Sequence, residues 1–549
     1  MSVPSQGRRV LAIGLDAADH ALVTRWRADG KLPQIDALMG AGATGMLRGA
    51  DGYTAETPWT VFFSGCWPST TSYWSPAKYH PDYRIEAALA YPFDGCGLFY
   101  DYAGSKTVIG LDLPQIRLSP KVAGAQILAW GAHSPQGPSQ SLPGSLLGEF
   151  TAKYGAHPTF LADDFLIGES EEQAAALEAG LLTGIERRTH AALDMMAEKP
   201  WDLFLVVYGE THSAGHGFWH MSQPDHPLYP AYQPRTHDPL LAIYQALDAA
   251  VGRLRAAAPP GTAIVLFSAE GMKSNSADVP SWLFLPELLY RMNFPQRAAL
   301  AQGEPGAALP PLARQTDRDW MRAVWALSEC KNPVTRFVRR HTRLRLSRAI
   351  ERLFPEAGGL RHPLDTPAYP YMPGLWYQPH WPEMTAFALP SFSEGNIRIN
   401  VSGREKTGRV APADFNRHCD AIIAEVAALK NPRNAKPILR DVLRQRTDPF
   451  GNPTGPDADL IFLWEAEPAD VVDHPVHGRI GPVPLRRSGD HHGQGFFSVT
   501  GDGVARGALK PGALVDLAPT ILDLLGAPLP NHFDGQSRLP ELLREGALV

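Results

Sequence analysis

The chain has 549 residues, of which 44% are hydrophobic and 20% are charged, and its formal net charge is −6. A chain of this length and composition can bury a large core, which excludes intrinsic disorder as the main state. The acidic balance argues against nucleic-acid binding, because such proteins usually carry a basic excess. Four cysteines are too few and too scattered for a disulfide framework or a thiolate metal site.

The amino-terminal segment carries no recognisable targeting signal. Its apolar run, VLAIGL, ends at Asp16 and is shorter than the hydrophobic region of a signal peptide. No stretch of the sequence approaches the roughly 20 apolar residues of a membrane-spanning helix. The sequence therefore predicts a cytoplasmic protein without a membrane span.

Apolar runs and helical patterns alternate along the chain. The runs are typical of buried parallel strands and comprise Val10–Leu15, Leu203–Tyr208, Ala263–Ser268 and Leu460–Trp464. Helical spacing is found in Glu171–Glu198 and Pro239–Ala258. This alternation predicts an α/β fold with a doubly wound, mostly parallel sheet flanked by helices.

Polar residues follow the first three of these strands directly. They are Asp16, then the Glu210-Thr211-His212 cluster, then Glu270. Ligands of such sheets bind beyond the carboxyl ends of the strands, so chemistry is expected at these positions.

Two histidine groups have the features of metal ligands. His212 and His216 are four residues apart, which places them on one face of a helix. His491 and His492 are adjacent in a glycine-rich loop, where histidines are poor core material and good ligands. A histidine of this kind, with one more carboxylate or imidazole, would complete a three-ligand zinc site with an open position for substrate. A structural role for the pair and a solvated loop around His491 are the alternatives.

Thr57 and Pro58 are typical of a helix start, with an N-cap residue followed by proline at the first helical position. A hydroxyl at this end of a helix lies in the positive end of the dipole, which favours an alkoxide and an incoming phosphate. A purely structural cap is the alternative.

Residues 295–390 differ in character from the rest and are predicted to form a helical and loop-rich insertion, or cap. It would divide a core made of residues 1–294 and 391–549. Within it, the arginine-rich segment 335–354 has helical spacing and predicts a surface helix. The alternative is that this segment contacts an anionic substrate or a membrane surface.

The order of these motifs resembles the alkaline phosphatase superfamily, and most closely its type I phosphodiesterase/nucleotide pyrophosphatase branch. The likeness covers most of residues 8–290 and 395–540, including GNIRINVSGRE and DLAPTILDLLGAPLPNHFDG. The resemblance implies two divalent metals, usually zinc with Mn²⁺ as a possibility, beside a threonine or serine nucleophile. It places His212, His216 and His491 at one metal and Asp16 at the other.

The sequence departs from the family pattern at three places. The family's Asp-His-Gly-Met turn is Ala269-Glu270-Gly271-Met272 here, so Glu270 could coordinate with Asp16 but Ala269 could not. The position of His212 is usually aspartate in the family. The spacing that marks the family's nucleophile falls on Ala55, which leaves Thr54 or Thr57 for this role, and the capping pattern favours Thr57.

These features predict a metal-dependent phosphoester hydrolase that uses a threonine nucleophile and zinc and acts on a small-molecule phosphoester. The alternative is a divergent non-catalytic or single-metal ligand-binding member of the same fold, and Ala269 favours it. A sulfatase-like or phosphonate hydrolase is disfavoured, because no arginine near Cys66 completes the sulfatase motif.

Overall fold

A computed structural model describes residues 7–50, 57–88, 91, 95–131, 138–160, 170–300, 302–312, 319–354, 359–451, 455 and 457–543. The nucleophile candidate Thr54 lies outside these residues.

The strands, in chain order, are β1 (Val10–Leu15), β2 (Ala43–Arg48), β3 (Ala77–Tyr79), β4 (Ile85–Ala87), β5 (Thr107–Leu113), β6 (Ala123–Leu128), β7 (Gln140–Leu142), β8 (Leu203–Tyr208), β9 (Ala263–Ser268), β10 (Gly271–Ser274), β11 (Gln302–Gly303), β12 (Ala386–Leu389), β13 (Gly395–Ile399), β14 (Lys430–Asn431), β15 (Lys436–Pro437), β16 (Leu439–Arg444), β17 (Leu460–Trp464), β18 (Val472–His474), β19 (Gly478–Ile480), β20 (Gly489–His492), β21 (Gln494–Thr500), β22 (Gly507–Ala508) and β23 (Gly512–Ala513). The α-helices are α1 (His20–Ala28), α2 (Pro33–Gly40), α3 (Pro58–Ser64), α4 (Pro68–Thr71), α5 (Leu146–Tyr154), α6 (Glu171–Glu198), α7 (Glu210–Ser222), α8 (Pro239–Ala257), α9 (Leu285–Asn293), α10 (Trp320–Trp325), α11 (Pro333–His341), α12 (Leu344–Leu353), α13 (Phe415–Ala427), α14 (Leu517–Leu524) and α15 (Leu539–Leu542).

The central sheet has the order β22-β2-β21-β9-β1-β8-β5-β6-β7, with β23 also paired to β2. Strand β1 pairs in parallel with both β8 and β9, and β5 is parallel to β6 and β8. Antiparallel pairs occur where β21 meets β2 and β9, and where β7 meets β6. The predicted α/β fold with a mostly parallel sheet is confirmed.

Helices cover both faces of this sheet. Along β1, Leu11 and Ile13 belong to one hydrophobic core and Val10 and Ala12 to another, because successive side chains of a strand point to opposite faces. Helices α1, α2, α6 and α8 bury residues in the first core, and α3 and α14 in the second. A strand with two covered faces must be apolar throughout, which explains the continuous runs in the sequence.

Local signals set the ends of the long helices. Ser170 and Gln173 form a reciprocal capping box at the start of α6. Asp238 accepts hydrogen bonds from the first amides of α8, whose first residue is Pro239. The sequence therefore located both helices to within one residue.

Two expectations about the second half of the chain are wrong. Strand β17 is antiparallel to its neighbours and lies in a separate four-stranded sheet of order β12-β13-β17-β16. An apolar run shows that a strand is buried, but it does not give the direction of its neighbours. The arginine-rich surface helix is two helices, α11 and α12, because Thr342 and Arg343 adopt extended backbone angles between them.

The helices and strands of residues 295–390 can be compared with the predicted insertion. Helices α10, α11 and α12 lie within residues 295–390, as expected for a helical insertion. Strand β12 also lies in this segment and pairs with β13 in the following one. The boundaries at 295 and 390 remain a prediction.

In the described part of the chain, no helix is long and apolar enough to cross a membrane.

Candidate metal centre

The three strand ends predicted to carry chemistry are neighbours in the sheet. Strands β9, β1 and β8 are adjacent, so Glu270, Asp16 and the start of α7 lie at one edge. The Thr211 hydroxyl donates to the Asp16 carbonyl oxygen at 2.6 Å and joins the start of α7 to the end of β1. The parallel order therefore brings residues about 200 positions apart in the chain, Asp16 and Thr211, into one place.

The histidines of the three-ligand prediction form a buried cluster. His212 and His216 share one face of α7, and their Nε2 atoms are 3.1 Å apart. The Nε2 of His491, on β20, is 3.2 Å from the Nε2 of His216. Two imidazole nitrogens that bind one zinc tetrahedrally at about 2.0–2.1 Å are about 3.3 Å apart. The spacing therefore fits one metal ion.

A close approach of β20 to α7 makes this cluster possible. The backbone amide of Ser488 donates to the His216 carbonyl oxygen at 2.9 Å, just before β20 begins. At Gly489 an added Cβ would lie 2.2 Å from the Gly215 carbonyl oxygen, so only glycine fits there. The Gly489 carbonyl oxygen lies 2.8 Å from His216 Nδ1.

Each ring of the cluster turns its Nδ1 toward an acceptor. His216 Nδ1 donates to the Gly489 carbonyl, His491 Nδ1 lies 3.1 Å from Glu270 Oε2, and His212 Nδ1 lies 3.5 Å from Asp16 Oδ2. A neutral imidazole that donates from Nδ1 carries a lone pair on Nε2. His216 therefore presents a lone pair on Nε2 toward His212 and His491, and the three Nε2 atoms lie close enough together to bind one ion. The donor set therefore fits a divalent metal.

Asp16 and Glu270 come together through their shared proximity to His212. One ligand atom from each of Asp16, His212 and Glu270 lies within 4.8 Å of the others, so this set could hold a second ion. His212 faces this set with Nδ1 and the three-histidine cluster with Nε2. Ala269, at the position of the missing family ligand, is buried in an apolar core.

Arg487 also lies at the three-histidine cluster, although no sequence motif indicated it. Its Nη1 lies 3.1 Å from His216 Nε2, and its other nitrogens hold Asp278 at 3.0 and 3.1 Å. Burial, and next the charge of Arg487, lower the pKa of His216 well below its ordinary value. His216 is therefore neutral at neutral pH, as a metal ligand must be.

Thr57 lies at the start of α3, as predicted, with Pro58 as the first helical residue. Its hydroxyl makes no capping hydrogen bond, and the residue is buried. Two residues later, the Trp59 indole N–H donates to Asp16 Oδ1 at 2.7 Å and fixes the helix start to the site. Thr57 therefore begins the helix without capping it through its side chain.

Glu210, part of the polar cluster after β8, serves another purpose. It accepts from Arg188 Nη1 at 2.5 Å and faces His157 at 2.9 Å, and Arg188 also holds Asp112. Burial alone would raise the pKa of Glu210, but Arg188 and His157 bring it below its ordinary value. This buried ion network fixes α6 against the start of α7 and so supports the orientation of the histidines.

A cleft of about 670 Å³ lies beside the cluster. Along β20, His491 faces the three-histidine cluster, whereas His492 lines the cleft and contacts Asp19 Oδ2 at 2.9 Å. Lys273, Arg48 and Arg440 also line the cleft, together with the carboxylates of Glu394 and Asp441.

Glu425, His474 and His477 form a second group of possible metal ligands. His474 Nδ1 accepts hydrogen bonds from the amides of Val476 and His477, at 3.1 and 3.0 Å. The neutral ring therefore carries its proton on Nε2, which faces Glu425. The tautomer suits an imidazole–carboxylate hydrogen bond and disfavours metal binding through Nε2.

The fold and this site define an alkaline phosphatase-like α/β protein with candidate ligands for a divalent metal. The structure of alkaline phosphatase PafA matches 99% of this chain and 100% of its own, with a TM-score of 0.51 and 12% identity. Phosphonoacetate hydrolase from Sinorhizobium meliloti 1021, in complex with phosphonoformate, matches 95% of this chain and 96% of its own, with a TM-score of 0.45 and 12% identity.

The sequence comparisons agree with the family expected from the motifs. Residues 114–342 match the model of the type I phosphodiesterase / nucleotide pyrophosphatase family, and the resemblance is confirmed. This segment contains His212, His216 and Glu270, whereas Asp16, Thr57 and His491 lie outside it.

One curated relative matches a short segment. It is a 2,3-bisphosphoglycerate-independent phosphoglycerate mutase of Desulforudis audaxviator (strain MP104C), 54% identical over 86 residues. The match covers 16% of this chain and 14% of the length of that relative.

Proposed function

We propose that this protein is a metal-dependent phosphoester hydrolase whose metal is bound by His212, His216 and His491. The convergence of three buried Nε2 atoms at the sheet edge carries this proposal. The cofactor we propose is zinc, with Mn²⁺ as an alternative occupant, because imidazole suits zinc and a tetrahedral three-histidine site leaves one position open. When bound, the ion supplies positive charge to the phosphoryl oxygens.

We assign Asp16 and Glu270 primarily as the carboxylates that orient His212 and His491. In metal sites a ligating imidazole commonly donates its other N–H to a carboxylate, which fixes the ring and raises its basicity. The proximity of His491 Nδ1 to Glu270 at 3.1 Å, and of His212 Nδ1 to Asp16 at 3.5 Å, supports this assignment. In this protein, the carboxylates at the family's second metal site would therefore orient the histidines of the three-histidine site.

Thr57 is the proposed nucleophile. Its oxygen attacks phosphorus, the bond to the leaving oxygen breaks, and the leaving oxygen takes up the proton that the hydroxyl loses. Water then hydrolyses the phosphothreonine and restores the hydroxyl. The amino-terminal end of α3 favours the alkoxide and the incoming anion. Arg487, held by Asp278, would contribute charge to the phosphoryl oxygens, since phosphoryl transfer depends chiefly on positioning and electrostatics.

A second candidate function is that of a single-metal ligand-binding protein without catalysis. Two observations favour it: Ala269 replaces a family ligand, and the Arg487 guanidinium lies against His216 Nε2. The two candidates differ in turnover and agree in metal binding.

The test combines metal analysis with a substrate panel of bis-p-nitrophenyl phosphate and p-nitrophenyl phosphate. We expect one zinc per chain and turnover that requires added Zn²⁺ or Mn²⁺. Thr57→Ala should lower kcat by about 10³-fold or more while zinc content stays the same, and Thr57→Ser should retain most activity. Thr54→Ala is the matched control.

The outcomes distinguish the two candidate nucleophiles and the two candidate functions. Activity that survives Thr57→Ala but not Thr54→Ala would make Thr54 the nucleophile. Zinc binding without turnover on any ester would support the ligand-binding candidate, and the absence of both would contradict the metal centre itself.

We also propose a cytoplasmic location for the protein. Its four cysteines, Cys66, Cys96, Cys330 and Cys419, are all free and buried, as is usual in a reducing compartment. Fractionation of the source cells, with an antibody to this chain, tests the location.

A further inference from the structure

Exposed hydrophobic side chains are concentrated on helices α11 and α12. Among the described residues, ten large hydrophobic side chains are exposed, and five of them lie between positions 334 and 354. They are Val334, Phe337, Leu346, Leu353 and Phe354, with exposed fractions from 49% to 75%. We call α11, α12 and Phe354 the basic hairpin. A single exposed hydrophobic residue needs no explanation, but five in so short a segment mark an interaction surface.

The spacing of these residues places them in stripes. On α11, Val334, Phe337 and His341 follow positions i, i+3 and i+7 and are exposed. On α12, Leu346, Ala349 and Leu353 follow the same spacing and are also exposed. Residues at these spacings share one face of a helix. Each helix therefore presents apolar side chains to solvent on one face, and on α11 these are Val334 and Phe337 beside His341.

The basic hairpin and its immediate flank are strongly positive, in contrast to the acidic chain as a whole. Residues 331–354 contain eight lysine or arginine residues and one glutamate. Part of this charge is neutralised, since Arg339 pairs with Glu351 at 3.0 Å and Arg352 with Asp365 at 3.0 Å. Arg340 and Arg345 are exposed beside the apolar stripes.

The hairpin is held firmly from its inner side. Arg339 lies over the Trp325 ring at 4.3 Å, and the Trp325 indole N–H donates to Glu351 at 3.1 Å. Farther in, the Trp320 indole N–H donates to the Pro484 carbonyl at 2.8 Å. The stripes are thus the outer face of an ordered element, and Pro484 is two residues before Arg486 in the chain.

We propose that the basic hairpin docks this protein on a bilayer surface that contains anionic phospholipids. Helices with aromatic and aliphatic residues on one face and arginines around them lie in the interface of such membranes. A second copy of this chain would bring the same positive charge to the contact, which disfavours self-association. An acidic protein surface could be bound by the arginines alone and would need no row of large apolar residues. The charge and the apolar stripes together therefore favour a membrane. This docking is independent of the proposed catalysis.

Vesicle co-sedimentation with the full chain tests the proposal. Vesicles of phosphatidylcholine alone are compared with vesicles that contain phosphatidylglycerol, at low and at raised NaCl. We expect binding to the anionic vesicles to be at least tenfold stronger and to weaken severalfold with salt. The triple variant Phe337→Ser, Leu346→Ser, Leu353→Ser should lose at least tenfold in partitioning, and Arg340→Gln with Arg345→Gln should lose severalfold.

The control is a matched triple serine variant at exposed hydrophobic positions outside the hairpin, Phe450, Val476 and Leu529. It should bind anionic vesicles like the unaltered protein, and all variants should keep the same Tm and the same activity on soluble esters. The proposal is overturned if the unaltered protein ignores anionic vesicles, or if the hairpin and control variants bind equally. It is also overturned if light scattering shows a dimer that only the hairpin variant loses, since the surface then binds a second copy.

Discussion

Replacement of Glu270 tests whether this carboxylate orients His491 or binds a metal itself. The Glu270 Oε2 and His491 Nδ1 atoms are 3.1 Å apart, and both side chains are almost fully buried. Removal of a carboxylate that orients a ligating imidazole typically weakens metal binding 10- to 100-fold, or about 1.4 to 2.7 kcal/mol. A neutral amide is a weaker acceptor than a carboxylate. We therefore expect about a tenfold loss in zinc affinity for Glu270→Gln and a loss closer to 100-fold for Glu270→Ala.

The assay is a zinc titration against a chromophoric chelator, with the metal content measured after dialysis. His491→Ala, which removes a ligand, should abolish specific zinc binding. Glu86→Gln is the matched control, because Glu86 contacts a histidine, His80, at 2.8 Å on the surface. The orienting role is refuted if Glu270→Ala binds zinc within twofold of the unaltered protein. It is also refuted if the unaltered protein holds two zinc ions and the variant one.

Three further experiments test the roles of Arg487, Arg188 and His226. Arg487→Gln removes a positive charge 3.1 Å from His216 Nε2, so zinc affinity should rise severalfold while kcat/KM falls about 100-fold or more; a parallel fall of both would contradict the assigned role. Arg188→Met leaves two buried carboxylates without their cation, and urea denaturation should show a loss of about 3–5 kcal/mol, whereas a loss under 1 kcal/mol would contradict it. Burial lowers the pKa of His226 to about 4. Below pH 6.5 the unfolded chain therefore binds a proton that the folded protein does not, and the free energy of unfolding should fall by about 3 kcal/mol at pH 4; the His226→Asn variant should lack this component, and identical pH profiles for both proteins would contradict it.

The local sequence determined the elements of the core with little error. Continuous apolar runs gave β1, β8 and β9 their observed bounds, because strands with helices on both faces must be apolar at every position. Capping residues such as Ser170 and Asp238 fixed the helix starts through contacts within a few residues. The spacing of His212 and His216 likewise predicted their shared helix face, which depends only on the helical repeat.

Only the tertiary structure decided which atoms meet across long distances in the chain. The direction of β17 depends on its neighbours, and these lie in a separate sheet that no apolar run could reveal. The contact of Arg487 with His216 and the turn of Glu270 toward His491 Nδ1 depend on the close passage of β20 along α7. The residue types of the candidate site were therefore readable from the sequence, whereas which nitrogen of each imidazole faces a carboxylate and which faces another imidazole is a property of packing.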